Sequence, residues 1–316
     1  MAQTTAGSLP GWPRELESLL RCPRCRGTLD CDGELRCAAG HAYPVVRGIP
    51  RLLTEAWRPD SAELVAATSE AFGQQWNEFG EAARVGPADL RLHLPTGLTE
   101  AVFSGTVLDA GCGMGRYAAL AAELGASVIG LDLSLAVEKA RQLWSKPRFV
   151  QGDLAAPPFA PASFDVVYSF GVIHHLPEPL RGFQTCFELV RSGGLLLVWV
   201  YSAHGGLPRR GRVAARRLVA RAPWLLRPLS MLAAAGIWAA YVAPRRARGA
   251  RGGRLGFYAD KGFRQLRVDC HDALAAPSEV YLTAADCRAW LRSVQAASAG
   301  FERRRDGSGW ILWARR

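Results

Sequence analysis

Short, nearly continuous apolar runs recur through the middle of the chain: Val107 to Asp109, Ser127 to Leu131, Arg148 to Gln151, Phe164 to Phe170 and Leu195 to Tyr201. Such runs predict strands of a parallel sheet with both faces covered, because a half-exposed strand alternates apolar and polar residues. Between the first two lies YAALAAELG, residues 117–125. Its alanines suit a helix packed closely on a sheet, and its glycine suits the helix end. Near the C-terminus, LTAADCRAWLRSVQ predicts a helix opened by Thr283. FERRR and WILWARR, joined through Asp306 to Gly309, predict an antiparallel hairpin. Strands alternating with helices predict an α/β, doubly wound architecture.

At 316 residues the chain has room for a main domain and a smaller companion. Its apolar fraction of 49% predicts a folded chain. The net charge of +11 is local: residues 202–259 hold twelve arginines, no lysine and no acid, so the remainder is close to neutral. Any attraction to a polyanion or an anionic surface therefore belongs to that segment rather than to the fold. Within it, Leu225 to Val242 predicts a largely apolar helix flanked by arginine and preceded by at least one other. The uncharged stretch from Pro228 to Pro244, 17 residues, sits at the lower edge of membrane-spanning length. MAQTTAGSLPGWPRE has no basic start followed by an apolar run, so a reduced, cytoplasmic setting, at most peripheral to a membrane, is expected.

Four of the eight cysteines lie between residues 22 and 37. Cys22-x2-Cys25 and Cys37-x3-His41 form two close pairs, with Gly27 and Gly40 in the turns. Zinc takes four such ligands in a tetrahedron, and a module this small needs a staple. Cys22, Cys25, Cys37 and His41 are therefore expected to hold a structural Zn2+ with all four positions filled by protein. Cys31, in the hairpin around Asp32-Gly33, is the spare thiol and an alternative to Cys37 or His41. Metal-free thiols and a disulfide are the competing readings.

The strand ending at Asp109 runs into glycines at 111, 113 and 115 and then the helix. Asp132 follows Gly111 by 21 residues, the distance at which an acid clamps ribose hydroxyls. A dinucleotide site usually carries G-x-G-x-x-G, whereas the spacing here is G-x-G-x-G. A carboxylate at Asp109 repels a pyrophosphate and suits a cationic amino group, so S-adenosylmethionine is expected rather than NAD. Asp153, after the third strand, is expected at the adenine amino group, with Leu154 beside the ring.

The stretches LDAGCGMGR, VIGLDLS, GDL, FDVVYSFGVIHHLPEP and RSGGLLLV resemble class I S-adenosylmethionine-dependent methyltransferases of the UbiE-like, methyltransferase-11 type over about residues 105–200. The resemblance implies methyl transfer and a Rossmann-like seven-stranded sheet in the order 3-2-1-4-5-7-6. It also implies a cofactor site with Asp109 near the methionine part and Gly111, Cys112, Gly113, Gly115 and Arg116 around the turn. Asp132 and Leu133 would lie at the ribose, Asp153 and Leu154 at the adenine, and Phe170 at the end of the fourth strand. CPRC, CAAGH and YPVVRGIPRLL, over about residues 19–53, resemble the small zinc-ribbon-like domain of the Trm112-like type, which in some relatives contacts RNA or a partner. The expected division is a zinc module over 1–55, a helical linker or lid over 56–100, and a methyltransferase domain over 101–316 with a helical insertion over 202–259. In SEAFGQQWNEF, residues 69–79, Phe72 and Trp76 fall one helical turn apart, either packed on the sheet or forming the lid that the resemblance implies.

A methyl group on a sulfonium is already activated, so the protein chiefly aligns the acceptor and excludes water. An oxygen or nitrogen acceptor still has a proton to lose, and histidine suits that task. His174 and His175 follow the fourth strand at the carboxyl edge of the sheet and are the first candidates for a base. His271, beside Asp269 and Asp272 in RVDCHDALAAPSEVYLT, is the third. That segment resembles a substrate-side loop of sugar- and lipid-modifying relatives. Asp272, Pro277 and Tyr281 match it, while Glu279 stands where relatives carry a histidine. The expected acceptor is a small or lipid-like molecule. The arginine-rich insertion reads as a cap over the site, as a surface for an apolar-tailed acceptor or an anionic membrane, or as a nucleic-acid contact. An RNA methyltransferase is the alternative enzyme, although SFGVIHH does not carry the N/D-P-P-Y/F pattern of amino-methylating enzymes. A non-catalytic cofactor-binding or partner protein is the alternative from another class.

Overall fold

The computed structural model describes residues 8–54, 85–203, 209–249, 253–275 and 279–316. The lid candidate at 69–79, with Phe72 and Trp76, lies outside the described residues. Twelve strands are described: β1 (Asp30–Asp32), β2 (Glu34–Arg36), β3 (Ala42–Tyr43), β4 (Val45–Val46), β5 (Ile49–Leu52), β6 (Thr106–Ala110), β7 (Ser127–Asp132), β8 (Arg148–Gly152), β9 (Phe164–Phe170), β10 (Val190–Tyr201), β11 (Ser298–Arg303) and β12 (Gly309–Arg315).

The first three strands form a small antiparallel sheet. The other nine form one sheet in the order β11-β12-β10-β9-β6-β7-β8-β5-β4. Pairing is parallel from β5 through β8, β7, β6 and β9 to β10, and antiparallel at both outer ends. Nine strands correct the expected seven. The two additions come from VVRGIPRL, which turns through Arg47 and Gly48, both at positive φ, and lays β5 along β8. Leu52 pairs with Gly152 there. The ladder satisfies backbone groups that would otherwise leave the β8 edge open.

Alternate residues of the central strands feed two cores, as the period of two requires. Val107, Val128, Phe149, Val166 and Tyr168 pack on one face with the helices Arg116–Glu123 and Ala136–Leu143. Leu108, Ile129, Val150, Val167 and Leu196 pack on the other face with Phe183 and Cys186 of the helix Pro179–Leu189 and Trp290 of the helix Ala284–Arg292. The last of these helices opens on Thr283, whose hydroxyl accepts from the Asp286 N–H while Asp286 accepts from the Thr283 N–H. The N-terminal module shares this second core through Trp12, Leu16, Leu20, Cys22, Leu35, Tyr43 and Leu52.

After β10 come the helices Arg209–Arg221, Leu226–Ile237 (continued by a π-turn over Trp238–Val242 into Ala243–Ala247), Gly253–Lys261 and Phe263–Ala275. Ala234, Val242, Tyr258, Leu266 and Cys270 give this insertion a core of its own. His271 thus sits on a helix rather than in the expected loop, because Phe263, Leu266 and Cys270 recur at helical spacing on the face turned to that core. Among the described residues, two ion pairs tie the insertion to the body. Lys261 Nζ lies 2.5 Å from Asp89 Oδ1, and the Arg216 guanidinium meets the Glu279 carboxylate.

Because Leu52 is fully buried in the shared core, Leu52→Ala is expected to cost about 2–5 kcal/mol. The loss should appear in urea as one transition that moves as a whole. A separate transition for the N-terminal part, with the second unmoved, would show that the module folds by itself.

Candidate active site

The carboxyl ends of β6, β7 and β8 bring three acids to one edge of the sheet: Asp109, Asp132 and Asp153, the last one residue beyond β8. The glycine turn after β6 is tied to β7 twice. The Gly111 and Cys112 N–H groups both donate to the Leu131 carbonyl, at 2.8 and 2.9 Å. The Asp132 carboxylate then accepts from the Gly113 N–H at 2.7 Å on Oδ2, and from the Ser134 N–H and hydroxyl at 2.8 and 2.7 Å on Oδ1. Two glycines here are obligatory. Gly111 has φ +89°, and a Cβ would lie 2.4 Å from a Val172 methyl. Gly115 has φ +75°, and a Cβ would lie 2.7 Å from the Phe149 ring.

Asp109 is buried, and burial pushes its carboxyl from 3.8 up to about 7. The Tyr168 hydroxyl pulls the other way and the Asp132 carboxylate adds to the rise. Burial also raises Asp132, against hydrogen bonds from Ser134 and Gly113 that lower it. Asp153 is raised by burial too, and its Oδ1 accepts from the Ala155 N–H at 2.8 Å. Cys112, Arg116 and Leu133 sit on or beside the glycine turn, and Leu154 is buried next to Asp153. A carboxylate has about four acceptor positions. Three of those on Asp132 are taken by Gly113 and Ser134, so it serves the turn first.

Beyond β9, Ile173–His175 forms a 3-10 turn, which places both histidines at the same edge. His174 is fully buried, its two ring nitrogens have no hydrogen-bond partner among the described residues, and burial holds its pKa well below the usual imidazole value. Its ring lies 4.2 Å from His175 and 4.0 Å from Tyr201. The segment that follows the insertion lines the same place. The Val280 N–H donates to the His174 carbonyl at 2.9 Å, and Tyr281 stacks on Tyr201 at 5.9 Å. The Tyr281 hydroxyl donates to Glu279, which also takes Arg216. His271 is buried on the helix Phe263–Ala275 of the insertion. The side chain of Asp272, and Pro277, lie outside the described residues.

Arg216 and His93 gave no signal in the sequence. Arg216 is one arginine of twelve in a run that reads as solvated, yet it is mostly buried and its Nε donates to the Ala273 carbonyl at 2.8 Å. His93 follows a short helix and stacks on Phe170 at 4.4 Å, with Tyr117 and Trp199 edge-on at 5.1 and 5.4 Å. Phe170 therefore belongs to an aromatic wall that no local spacing announces.

In the N-terminal module, the ligand atoms of Cys22, Cys25, Cys37 and His41 all lie within 4.8 Å of one another. Cys25 Sγ and Cys37 Sγ are 3.5 Å apart, and His41 Nδ1 lies 3.4 and 3.3 Å from Cys22 Sγ and Cys37 Sγ. The alternative ligand, Cys31, is not among them. Burial pushes the Cys22 thiol up, but hydrogen bonds from the Tyr43 hydroxyl and the Cys25 N–H outweigh it and bring the thiol down to about 6.

Residues 108–198 match the family described as a methyltransferase domain, type 11. Over 93 residues the chain is 42% identical to a probable S-adenosylmethionine-dependent methyltransferase of Mycolicibacterium smegmatis, covering 29% of this chain and 36% of that one. Over 123 residues it is 35% identical to the ubiquinone biosynthesis O-methyltransferase of Vibrio cholerae, covering 37% and 49%. The chain thus spans between a third and a half of the curated relatives it matches here. Among solved structures it is similar to the 1,6-didemethyltoxoflavin-N1-methyltransferase of Burkholderia thailandensis, at 17% identity and a TM-score of 0.46, over 90% of this chain and 99% of that one. The matched segment, from β6 to β10, is the part of the sheet whose ends carry the three acids and the glycine turn.

Asp132→Ala removes the acceptor of three hydrogen bonds, so S-adenosylmethionine affinity is expected to fall at least about tenfold. Unchanged calorimetric affinity would refute the assignment. Asp109 sets the pH dependence. Its folded pKa is raised, so its contribution to the stability of the ligand-free protein is present at low pH and lost as pH rises through about 7. A cationic ligand group needs the ionised form, so affinity should fall below pH 7, and binding at pH 7 should release part of a proton. Calorimetry in buffers of different ionisation enthalpy reads that release, and Asp109→Asn should abolish it.

Proposed function

We propose that this protein transfers a methyl group from S-adenosylmethionine to a hydroxyl of a small or lipid-like acceptor. The observation that carries the reading is the three carboxylates on adjacent strand ends around a glycine turn, inside the segment that matches a methyltransferase domain. The donor set fits the cofactor. On this reading Asp109 would take the ammonium of the methionine part, Asp132 a ribose hydroxyl, and Asp153 with Leu154 the adenine. When bound, S-adenosylmethionine supplies a methyl group already activated by its sulfonium. The residues of this chain bind, align and keep water out.

The acceptor side supports oxygen. His174 is neutral, and among the described residues its two ring nitrogens are unpaired in a buried, aromatic setting. Such an imidazole is prepared to take a hydroxyl proton once an acceptor fills the place. One relative named above is an O-methyltransferase. His175 flanks it, and Tyr201 and Tyr281 supply stacking area for a flat or apolar acceptor. An RNA acceptor and a non-catalytic role are outcomes of the test rather than parts of the proposal.

We propose in addition that Cys22, Cys25, Cys37 and His41 hold a structural zinc ion. Edges of a tetrahedron with Zn–S of about 2.3 Å and Zn–N of about 2.0 Å measure about 3.5–3.8 Å. The observed 3.3–3.5 Å separations suit that figure once the ion is present. Elemental analysis of protein purified without chelator should give about one zinc per chain, and Cys37→Ser should lower that content and the melting temperature together. Absence of zinc from stable wild-type protein would refute the site.

Calorimetric titration of S-adenosylmethionine, with NAD as the control, tests the main reading. Micromolar binding of the former alone is expected. With a hydroxylated acceptor found by screening, His174→Asn should lower kcat by about 10²–10⁴-fold and leave cofactor affinity intact. Turnover on tRNA or rRNA, or cofactor binding with no turnover on any acceptor, would overturn the acceptor assignment.

A further inference from the structure

The helix Leu226–Ala247 has two unlike faces. Inward, Ser230, Ala234 and Val242 are fully buried and the helix packs against Tyr258, Leu266 and Cys270. Outward, Trp224 just before the helix is 75% exposed, Leu232 68%, Tyr241 60% and Met231 37%. A chain normally hides such side chains, or places them where a partner will. Arginines bracket this face: Arg217, Arg221 and Arg227 are exposed before it, and Arg246 and Arg248 after it. From Pro228 to Pro244 there is no charge, and from residue 202 to 259 there is no acid.

We infer that this outer face docks on the surface of an anionic lipid bilayer. The arrangement matches what an interface demands. Apolar side chains sit in the acyl boundary, Trp and Tyr sit at its polar edge, and guanidinium groups lie among anionic headgroups. The helix is long and apolar enough to cross a bilayer by length and composition. It lies flat instead, because crossing would strip the inner face from the two helices that complete its core. A second copy of the chain suits the face poorly. Pairing two such helices in either direction brings arginine-rich ends together, with no acid in the segment to neutralise them. Nucleic acid suits it poorly as well, because the middle of the face offers phosphates no positive charge. The inference concerns the insertion alone and does not depend on methyl transfer.

The test is sedimentation of the full chain with phosphatidylcholine vesicles, with and without about a third phosphatidylglycerol. At least roughly fivefold more protein should pellet with the anionic vesicles. Added salt should weaken binding without abolishing it, since apolar insertion remains. The double variant Trp224→Glu and Leu232→Glu should lower vesicle binding roughly tenfold or more. Its circular dichroism and melting temperature should stay unchanged, because both side chains face outward. A second variant, Arg246→Glu with Arg248→Glu, should remove the preference for anionic lipid. Equal pelleting with neutral and anionic vesicles would overturn the inference. So would a soluble dimer, or retention of RNA, that the first variant abolishes in protein that ignores both vesicles.

Discussion

The Asp132 carboxylate is the joint on which the acid-lined edge of the sheet depends. It holds the Gly113 N–H on one oxygen and both donors of Ser134 on the other, so it fixes the glycine turn to the end of β7. Those bonds form only because the turn can approach closely. Side chains at Gly111 or Gly115 would run into Val172 or Phe149. The turn in turn leaves Asp109 buried beside a second acid, which is why its carboxyl rises to about 7. Closure of the turn, crowding of the acids and affinity for a cationic group are therefore one arrangement seen from three sides.

The histidine end of the same edge is held by unlike forces. Aromatic rings define its wall, from His93 and Phe170 to Trp199, Tyr201 and Tyr281. The insertion reaches it through Arg216 and Glu279, whose side chains are 15% and 1% exposed. Losing one partner of a buried pair costs about 3–5 kcal/mol, because the other charge is left in a dry place. An exposed pair such as Arg181 with Glu188, both more than half exposed, is worth about 0–1 kcal/mol. Of the two pairs that tie the insertion to the body, Arg216 with Glu279 is the drier and weighs more in where it sits than Lys261 with Asp89. Glu279 then leads directly into Val280 and Tyr281, which line the site.

The elements legible in the sequence were those whose signal is local. Continuous apolar runs located β6 to β9 to within a residue, because strands buried on both faces have no other composition. The glycine spacing and the acid 21 residues later located the turn, and the paired Cys-x2-Cys and Cys-x3-His located the thiol cluster. The parts that escaped depend on distant chain. VVRGIPRL reads as the tail of a small module, yet it adds two strands to the main sheet because the β8 edge needs a partner. The segment around His271 resembles a substrate-side loop, but packing of Leu266 and Cys270 makes its part up to Ala275 a helix. Arg216 and His93 are defined by residues far from them in the chain, and no spacing rule reaches that far.

The pairing of Leu52 with Gly152 has a consequence for the whole chain. Gly152 precedes Asp153, so the strand that leads into this acid is laced to the thiol module by a few backbone bonds and a common core. Such lacing would couple local openings of the two, and coupling of this kind is reciprocal. A ligand resting on Asp153 would then quiet the module, and order in the module would steady the ligand. Cys25 is the exposed thiol of the cluster. Its rate of alkylation would therefore act as a reporter of occupancy at the opposite end of that ladder.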